Sequence, residues 1–136
     1  MPYLDANVFI YPAIYQAETE PKAKKAKEIL LSVESGKLAA YTSTLTWDEV
    51  VWVISKVMGR NEGILQGQKL LGFPNLQFVC VDENVLIRAQ RLLSKYSVSP
   101  RDSIHAASAI EKKAKSLISD DADFDQVKEI KRLPLE

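Results

Sequence analysis

Short apolar segments alternate with longer segments of helical periodicity along this whole chain, and no other sequence feature restricts the fold as much. The apolar segments predict strands at residues 3–4, 38–42, 76–81, 117–118 and 129–135. Strands that alternate with helices are typical of an α/β domain whose central sheet is mostly parallel and carries helices on both faces. At 136 residues, the chain is expected to form a single domain over residues 1–136.

Helical periodicity predicts where several side chains lie. Lysines stand opposite an apolar stripe in residues 22–33, so four of them are expected to face water: Lys22, Lys24, Lys25 and Lys27. Apolar residues at helical spacing predict a buried stripe further along: Trp47, Val50, Val51, Ile54 and Met58. Pro12 could interrupt the first helix, and Gly63 and Gly67 weaken a helix predicted over residues 59–72. Asp82 is expected to cap the helix that follows it.

Charge and cysteine content restrict the class of protein. The 18 basic and 18 acidic residues cancel, so the chain lacks the global positive field of many nucleic-acid-binding proteins. The single cysteine, Cys80, cannot form an internal disulfide and lies in an apolar run, where it is expected to be buried and inert. The sequence begins without a secretory signal, and no apolar stretch approaches the roughly 20 residues that span a bilayer. These features indicate a cytoplasmic protein.

Four acidic residues stand where a predicted strand or loop gives way to a helix: Asp5, Glu49, Asp102 and Asp121. In open parallel sheets, sites form beyond the carboxyl ends of the strands, where neighbouring crossovers diverge. Asp5 and Asp121 both follow short apolar strands, so they can share a metal ion if those strands are neighbours. Glu49 and Asp102 would then approach from helices at the same edge of the sheet.

Such a cluster of acids points to a cation and to phosphate chemistry. Gathered carboxylates repel one another and lose hydration, so the cluster needs a compensating positive charge. Oxygen ligands suit Mg²⁺ or Mn²⁺, and these ions suit phosphate substrates. The sequence therefore indicates a metal-dependent phosphodiesterase.

Helix capping is the main alternative explanation for two of these acids. Thr46 precedes Glu49, and Ser99 precedes Asp102, by the three residues at which side chains satisfy free N–H groups at a helix start. Ser43 could equally begin the first of these helices, which would place Glu49 a further turn along. Capping alone would account for Asp102 better than for Glu49.

The remaining polar and aromatic candidates are ambiguous. In the acidic turn 119–125, Asp120 and Asp125 are expected to be solvated or to cap a short helix, whereas Asp121 and Asp123 are better site candidates. The single histidine, His105, excludes a histidine metal triad, and a packing or surface role is favoured over catalysis. Two tryptophans are expected in the core or a subunit contact rather than as platforms for stacking bases: Trp47 and Trp52.

Four segments together resemble PIN domains, and more closely VapC-type ribonuclease toxins of toxin–antitoxin pairs. They are residues 4–8 (LDANV), 43–49 (STLTWDE), 100–107 (PRDSIHAA) and 119–124 (SDDADF). The resemblance implies a three-layer α/β/α fold, a Mg²⁺- or Mn²⁺-dependent endoribonuclease acting on RNA, and a small antitoxin partner. It also implies a homodimer, whose contact could use exposed apolar side chains such as Phe9, Ile14 or Leu31.

Carried over by position, the acidic quartet of that family falls on four residues: Asp5, Glu49, Asp102 and Asp121. The resemblance adds three accessory residues: Asn7, Ser119 and Asp123. The chemistry of the acids supports a hypothesis in which Asp5 and Asp121 anchor the metal and Asp102 binds it directly or through water. Glu49 would help to orient or deprotonate the attacking water. Two positions depart from the family pattern, since Ala6 replaces the usual Thr or Ser and Asp120 adds a charge beside Asp121.

Three other functions remain to be compared. An aspartyl-phosphate phosphotransferase would use Asp5 as a nucleophile but requires an acid at position 7, where this chain has Asn7. A response-regulator receiver requires paired acids near the first strand and a lysine after a late strand, and neither is evident. A catalytically silent PIN-like module that binds RNA or protein is the stronger rival, although all four acids are present.

Overall fold

Five short strands and six α-helices alternate along the chain, and the computed structural model describes all residues, 1–136. The strands are β1 (Tyr3–Leu4), β2 (Ala40–Ser43), β3 (Leu76–Val79), β4 (Leu117–Ile118) and β5 (Arg132–Leu133). The helices are α1 (Ala6–Ile14), α2 (Pro21–Glu34), α3 (Thr44–Met58), α4 (Arg60–Leu71), α5 (Glu83–Lys95) and α6 (Pro100–Glu111), and a short 3-10 helix (Ala122–Gln126) follows β4. None of the helices combines the length and apolar character that a bilayer span requires.

The five strands form one sheet in the order β3-β2-β1-β4-β5, and every neighbouring pair is parallel. The predicted parallel sheet is therefore confirmed. From β1 the chain moves outward through β2 and β3 on one side, and β4 and β5 lie on the other side. Tyr3 pairs with Leu117 and Leu4 with Ile118, so the strand order reverses between β1 and β4. Their carboxyl ends meet at the position where open α/β sheets form their sites.

Side chains that alternate along the strands build a separate apolar core on each face of the sheet. Tyr3 and Leu117 belong to the core that α5, α6 and the 3-10 helix cover. Leu4 and Ile118 point the other way, into the core that α1, α2, α3 and α4 cover. Successive side chains of a strand point to opposite faces, so even a two-residue strand contributes to both cores. The three-layer α/β/α arrangement that the sequence predicts is confirmed.

Local interactions at the helix starts explain several boundaries. The Ser43 hydroxyl accepts the N–H of Leu45 at 3.0 Å, so α3 begins after Ser43 rather than at Thr46. Asp82 caps α5 through the N–H of Val85 at 2.9 Å, as predicted. Pro21 occupies the first turn of α2, where its missing N–H costs nothing. Three of the four lysines expected to face water are exposed, namely Lys24, Lys25 and Lys27, whereas Lys22 is half-buried.

Pro12 lies inside α1 and does not interrupt it. The helix continues to Ile14, and the N–H of Tyr15 bonds to the carbonyl of Tyr11 at 2.9 Å. The expected interruption is therefore wrong, because a proline removes only one hydrogen bond and this helix ends two residues later.

Three strands are shorter than predicted or shifted, and the prediction that Cys80 is buried is wrong. The third strand ends at Val79, so Cys80 lies beyond the paired segment and is exposed. The final strand covers Arg132–Leu133 rather than residues 129–135, because its only partner is the two-residue strand β4. The second strand is displaced toward the carboxyl terminus, to Ala40–Ser43. Apolar runs indicate where strands lie, but the pairing partner decides their length.

The apolar stripe predicted for α3 is only partly buried. Val50 and Ile54 belong to the core, but Trp47 is 42% and Met58 48% exposed. The predicted burial is therefore wrong at the two ends of the stripe, because other elements do not cover α3 along its whole length. Trp52 is 55% exposed, so neither tryptophan lies in the core.

The three apolar residues expected at a dimer contact differ in how exposed they are. Phe9 is only 8% exposed and packs in the core, where it forms an edge-to-face pair with Phe73. It is therefore not an exposed contact residue, and that expectation is wrong. Ile14 is half-buried, whereas Leu31 is 53% exposed on α2.

Gly63 and Gly67 let α4 lie directly against α3. A methyl group added at Gly63 would lie 1.9 Å from the Ser55 hydroxyl oxygen and 3.0 Å from the Val51 carbonyl oxygen. One added at Gly67 would lie 2.8 Å from a Val51 methyl group. The glycines that weaken the helix in isolation therefore allow its closest tertiary contact.

Replacing Gly63 with alanine should lower the free energy of unfolding. The clash with Ser55 and the Val51 carbonyl should cost more than the gain of about 1 kcal/mol in helix propensity, for a net loss of about 1–2 kcal/mol. Chemical denaturation measures the difference. Gly72→Ala is the matched control, because its added methyl group meets nothing closer than the Gln68 carbonyl oxygen at 3.7 Å. A variant as stable as the wild type would contradict the close helix contact.

Candidate metal centre

The carboxyl ends of β1 and β4 are joined by a hydrogen-bonded link between Asp5 and Ser119. Asp5 follows β1, is 5% exposed, and caps α1 by accepting the N–H of Ala6 at 2.8 Å. Ser119 follows β4 and is fully buried; its hydroxyl donates to Asp5 Oδ2 at 2.7 Å. The same hydroxyl oxygen accepts the N–H of Asp121 at 3.0 Å. Ser119 thereby ties the chain after β4 to the acid after β1.

Three carboxylates converge in front of this link. Asp102 lies in the first turn of α6, Asp121 precedes the 3-10 helix, and Asp123 lies within it. One oxygen atom from each lies within 4.8 Å of the other two. Asp121 also caps the 3-10 helix, because its Oδ1 accepts the N–H of Asp123 at 2.9 Å. Three carboxylates from two separate parts of the sequence therefore meet in one small region.

The capping alternative for Asp102 accounts for its backbone but not for its carboxylate. The Ser99 hydroxyl accepts the N–H of Asp102 at 3.1 Å, so the predicted cap is present. The Asp102 side chain instead offers an oxygen atom within 4.8 Å of an oxygen atom of Asp121. The backbone of Asp102 therefore takes part in the helix cap, while its side chain belongs to the carboxylate group.

Mutual repulsion makes this region unfavourable for negative charge. Burial, followed by the charge of Asp121 and a hydrogen bond to it, raises the pKa of Asp102 to about 7. Burial also raises the pKa of Asp5, although His105 and the Ser119 hydroxyl partly oppose that rise. Asp102 must be ionised to bind a cation, and its raised pKa means that its negative charge is unfavourable in the folded protein. A bound cation would relieve this cost.

The nearby basic side chains bind other acids. Lys22 pairs with Asp120 at 2.8 Å, and the Tyr11 hydroxyl donates to the same carboxylate at 2.8 Å. Arg132 donates to both oxygens of Asp125, at 2.8 and 3.0 Å. Asp125 is exposed, so the expectation of a solvated acid is confirmed for it, although it also pairs with Arg132. Asp120 is half-buried and bound by Lys22 and Tyr11, so the same expectation is wrong for Asp120. The extra charge of Asp120 is neutralised locally.

No salt bridge reaches the three converging carboxylates of Asp102, Asp121 and Asp123. A group of acids without a basic partner and composed only of oxygen donors fits a hard divalent cation such as Mg²⁺ or Mn²⁺. It does not fit zinc, which favours histidine and cysteine ligands. Asp5 does not belong to this group of three, but it lies near enough for its charge to raise the pKa of Asp102.

Glu49 enters the region from α3 through a contact with His105. The His105 ring is 1% exposed, and its Nε2 forms a short hydrogen bond with Glu49 Oε1 and lies 3.6 Å from Asp5 Oδ1. Its Nδ1 is bonded to the Tyr3 hydroxyl at 2.6 Å. Burial alone would lower the pKa of His105, but the hydrogen bond to Glu49 and the charge of Asp5 outweigh it and raise the pKa.

These contacts were not predicted from the sequence. Of the packing or surface role expected for His105, burial of the ring confirms packing, and this packing includes polar contacts with two of the predicted acids. The spacing held a signal, since His105 follows Asp102 by three residues and so lies on a neighbouring part of the same helix face. Asn7 is half-buried in the first turn of α1, two residues after Asp5.

Replacing Asp102 with asparagine should stabilise the metal-free protein at alkaline pH. Burial and repulsion raise the pKa of Asp102 from its ordinary value of 3.8 to about 7 in the folded protein, so the folded protein holds this proton more tightly than the unfolded chain. The resulting stability is fully present below about pH 3.8 and is lost as the pH rises to about 7. Because Asp102 is only half-buried, solvent screening limits the effect to about 1 kcal/mol, or roughly 4 °C.

Thermal unfolding in a chelator tests this difference. The melting temperature of Asp102→Asn relative to the wild type should increase between about pH 4 and about pH 7, because over that range only the wild type releases a proton when it unfolds. A difference that does not change with pH would contradict the proposed repulsion.

Comparison with known proteins agrees with the fold. The family model of the PIN domain matches residues 3–130. No curated protein sequence matches the chain. Among solved structures, the chain is similar to VapBC2 from Rickettsia felis bound to a DNA fragment from its promoter, with a TM-score of 0.74, 14% identity and 98% of each chain covered.

Two further structures show the same similarity. A toxin–antitoxin complex from Klebsiella pneumoniae gives a TM-score of 0.71 at 17% identity, over 100% of this chain and 98% of the other. VapC20 from Mycobacterium tuberculosis, described as a toxin that cleaves the sarcin-ricin loop, gives 0.70 at 14% identity, over 92% and 93%. At such identities the structures establish a shared fold. The family model spans nearly the whole sequence, and on that basis the chain belongs to the PIN domain family.

Proposed function

We propose that this chain is a Mg²⁺- or Mn²⁺-dependent endoribonuclease that hydrolyses RNA phosphodiester bonds as the toxin of a toxin–antitoxin pair. The observation that carries the proposal is the group of three carboxylates without basic partners, beside the buried Asp5 at the reversal of strand order. Membership of the PIN domain family and the toxin complexes among the similar structures support it.

The proposed metal ligands are Asp5, Asp102 and Asp121, with Asp123 as an accessory oxygen donor within reach of the last two. A divalent ion bound there would lower the pKa of water and neutralise charge on the scissile phosphate. Ser119 holds the carboxylate of Asp5 in place. Asn7, half-buried two residues after Asp5, is proposed as a further accessory residue. Glu49 orients the attacking water and accepts its proton.

The proposed partners are RNA and a small antitoxin protein, and the proposed location is the cytoplasm. The similar structures support the proposal, because one is described as a toxin that cleaves the sarcin-ricin loop and others are toxin–antitoxin complexes. The acidic cluster supplies chemistry rather than selectivity, so the RNA target would be chosen by shape and local charge elsewhere on the surface.

We also propose a homodimer. Large apolar side chains remain exposed on α2, α3 and α4, and contacts of this kind supply most subunit interfaces: Leu31, Trp52, Val57, Leu65 and Leu71. Size-exclusion chromatography with light scattering at micromolar concentration tests this. A purely monomeric protein would remove the proposal.

A cleavage assay on mixed RNA tests the proposed function. The wild-type protein should cut RNA internally with Mg²⁺ or Mn²⁺ and stop when a chelator is added. Asp102→Asn should be inactive under the same conditions. RNA binding without cleavage at any metal concentration would instead support the catalytically silent module, and cleavage that survives both the chelator and the substitution would show a contaminating nuclease.

A further inference from the structure

The single histidine of the chain lies between the sheet and two of the site acids. Its ring is almost completely buried and is held at both nitrogen atoms, by the Tyr3 hydroxyl at Nδ1 and by Glu49 at Nε2. The Tyr3 side chain is itself fully buried in β1, so one end of this chain of hydrogen bonds is fixed to the sheet. The other end reaches Glu49, whose side chain is 20% exposed.

The direction of the hydrogen bond to Glu49 follows from the partners. Burial raises the pKa of Tyr3, so its hydroxyl keeps its proton and can donate to Nδ1 of the neutral ring. The proton of the neutral ring then lies on Nε2. In the charged ring both nitrogen atoms carry protons, and Nδ1 donates to the Tyr3 oxygen. The remaining tautomer would point a lone pair at the carboxylates of Glu49 and Asp5, which is repulsive. Nε2 therefore donates to Glu49 in either charge state.

We propose that His105 is a positioning residue that holds the Glu49 carboxylate beside Asp5 by donation from Nε2–H. Like charges on Glu49 and Asp5 would otherwise separate, and the longer, partly exposed side chain of Glu49 is the one free to turn away. The ring cannot follow it, because Tyr3 holds Nδ1 and α6 fixes the backbone. This inference rests on the proposed nuclease function, in which Glu49 orients the attacking water.

Two substitutions separate positioning from packing. His105→Gln places an amide N–H near the former position of Nε2 and can still donate to Glu49. His105→Asn places its amide near Nδ1 and cannot reach Glu49. We expect kcat for RNA cleavage to fall about 10- to 100-fold in the asparagine variant and to recover most of that loss in the glutamine variant, with KM for RNA unchanged. Equal losses in both variants would show that the ring only fills space.

A double-mutant cycle shows whether His105 acts through Glu49. If it does, adding His105→Asn to Glu49→Gln should reduce cleavage by no more than about twofold beyond Glu49→Gln alone. A second loss as large as in the single variant would overturn the inference, because independent effects multiply. Thermal unfolding of each variant in a chelator verifies that the compared proteins are folded.

Imidazole nitrogen NMR gives a readout that does not depend on activity. Because the chain has one histidine, its ring signals need no assignment. The Nε2 signal should be that of a protonated, hydrogen-bonded nitrogen and should shift in Glu49→Gln, whereas Tyr3→Phe should mainly shift Nδ1. If the wild type cuts no RNA, the nuclease proposal fails while these spectra still decide the His105–Glu49 contact. An unprotonated Nε2, or one unaffected by Glu49→Gln, would overturn the inference.

Discussion

Replacing Asp5 with asparagine is expected to reduce metal-dependent RNA cleavage by at least about a hundredfold, since changing even an outer partner of a metal ligand costs about 10- to 100-fold. The reason is the central position of this carboxylate, which is bonded to Ser119 and acts electrostatically on Asp102. Initial rates of cleavage of a labelled RNA at saturating Mn²⁺ measure the loss.

The fold should survive this substitution. Asparagine caps helices as well as aspartate does, so the contact with the N–H of Ala6 can be retained. The matched control is Asp48→Asn, which removes an exposed acid next to Glu49 and should leave cleavage unchanged. Full activity in Asp5→Asn, or an equal loss in Asp48→Asn, would contradict the assignment of Asp5.

Saturating Mn²⁺ should raise the melting temperature of the wild-type protein substantially. An ion that binds only the folded state contributes about 2.7 kcal/mol when its free concentration is a hundred times its Kd. For a chain of this size that corresponds to roughly 10 °C. The melting temperature should rise rather than fall because a cation relieves the repulsion among Asp102, Asp121 and Asp123. Scanning calorimetry with and without the ion measures the shift.

The same scan on Asp121→Asn identifies where the ion acts. This substitution removes one of the converging carboxylates, so the shift caused by Mn²⁺ should fall to less than half of the wild-type value. Asp125→Asn is the control, because Asp125 pairs with Arg132 and does not belong to the group. A wild-type transition that saturating Mn²⁺ does not move would argue against any formed site.

Much of the fold follows from local features of the sequence. The alternation of apolar and helical segments is enough to predict the parallel sheet, because burial on both faces requires helices between strands. The neighbouring positions of β1 and β4 bring Asp5 and Ser119 into contact, as expected for acids and polar residues at strand ends. Asp123 offers an oxygen atom within 4.8 Å of Asp102 and Asp121, although the sequence indicated only an accessory role for it.

The details that were not predicted depend on contacts between distant parts of the chain. The exposure of Cys80 depends on where β3 stops pairing with β2, and apolar character alone does not contain that information. The ion pair of Lys22 with Asp120 joins residues 98 positions apart, and the link from Tyr3 to His105 spans 102. Side-chain partners at such separations follow from the assembled fold rather than from local pattern.

A crystal structure with Mn²⁺, with data collected near the metal absorption edge, tests the central claim most directly. The account predicts an anomalous peak about 2.1 Å from carboxylate oxygens of Asp102 and Asp121, with Asp5 or Asp123 completing the protein ligands directly or through water. A fully occupied Mn²⁺ elsewhere on the molecule, with these carboxylates free of metal at saturating concentration, would contradict it.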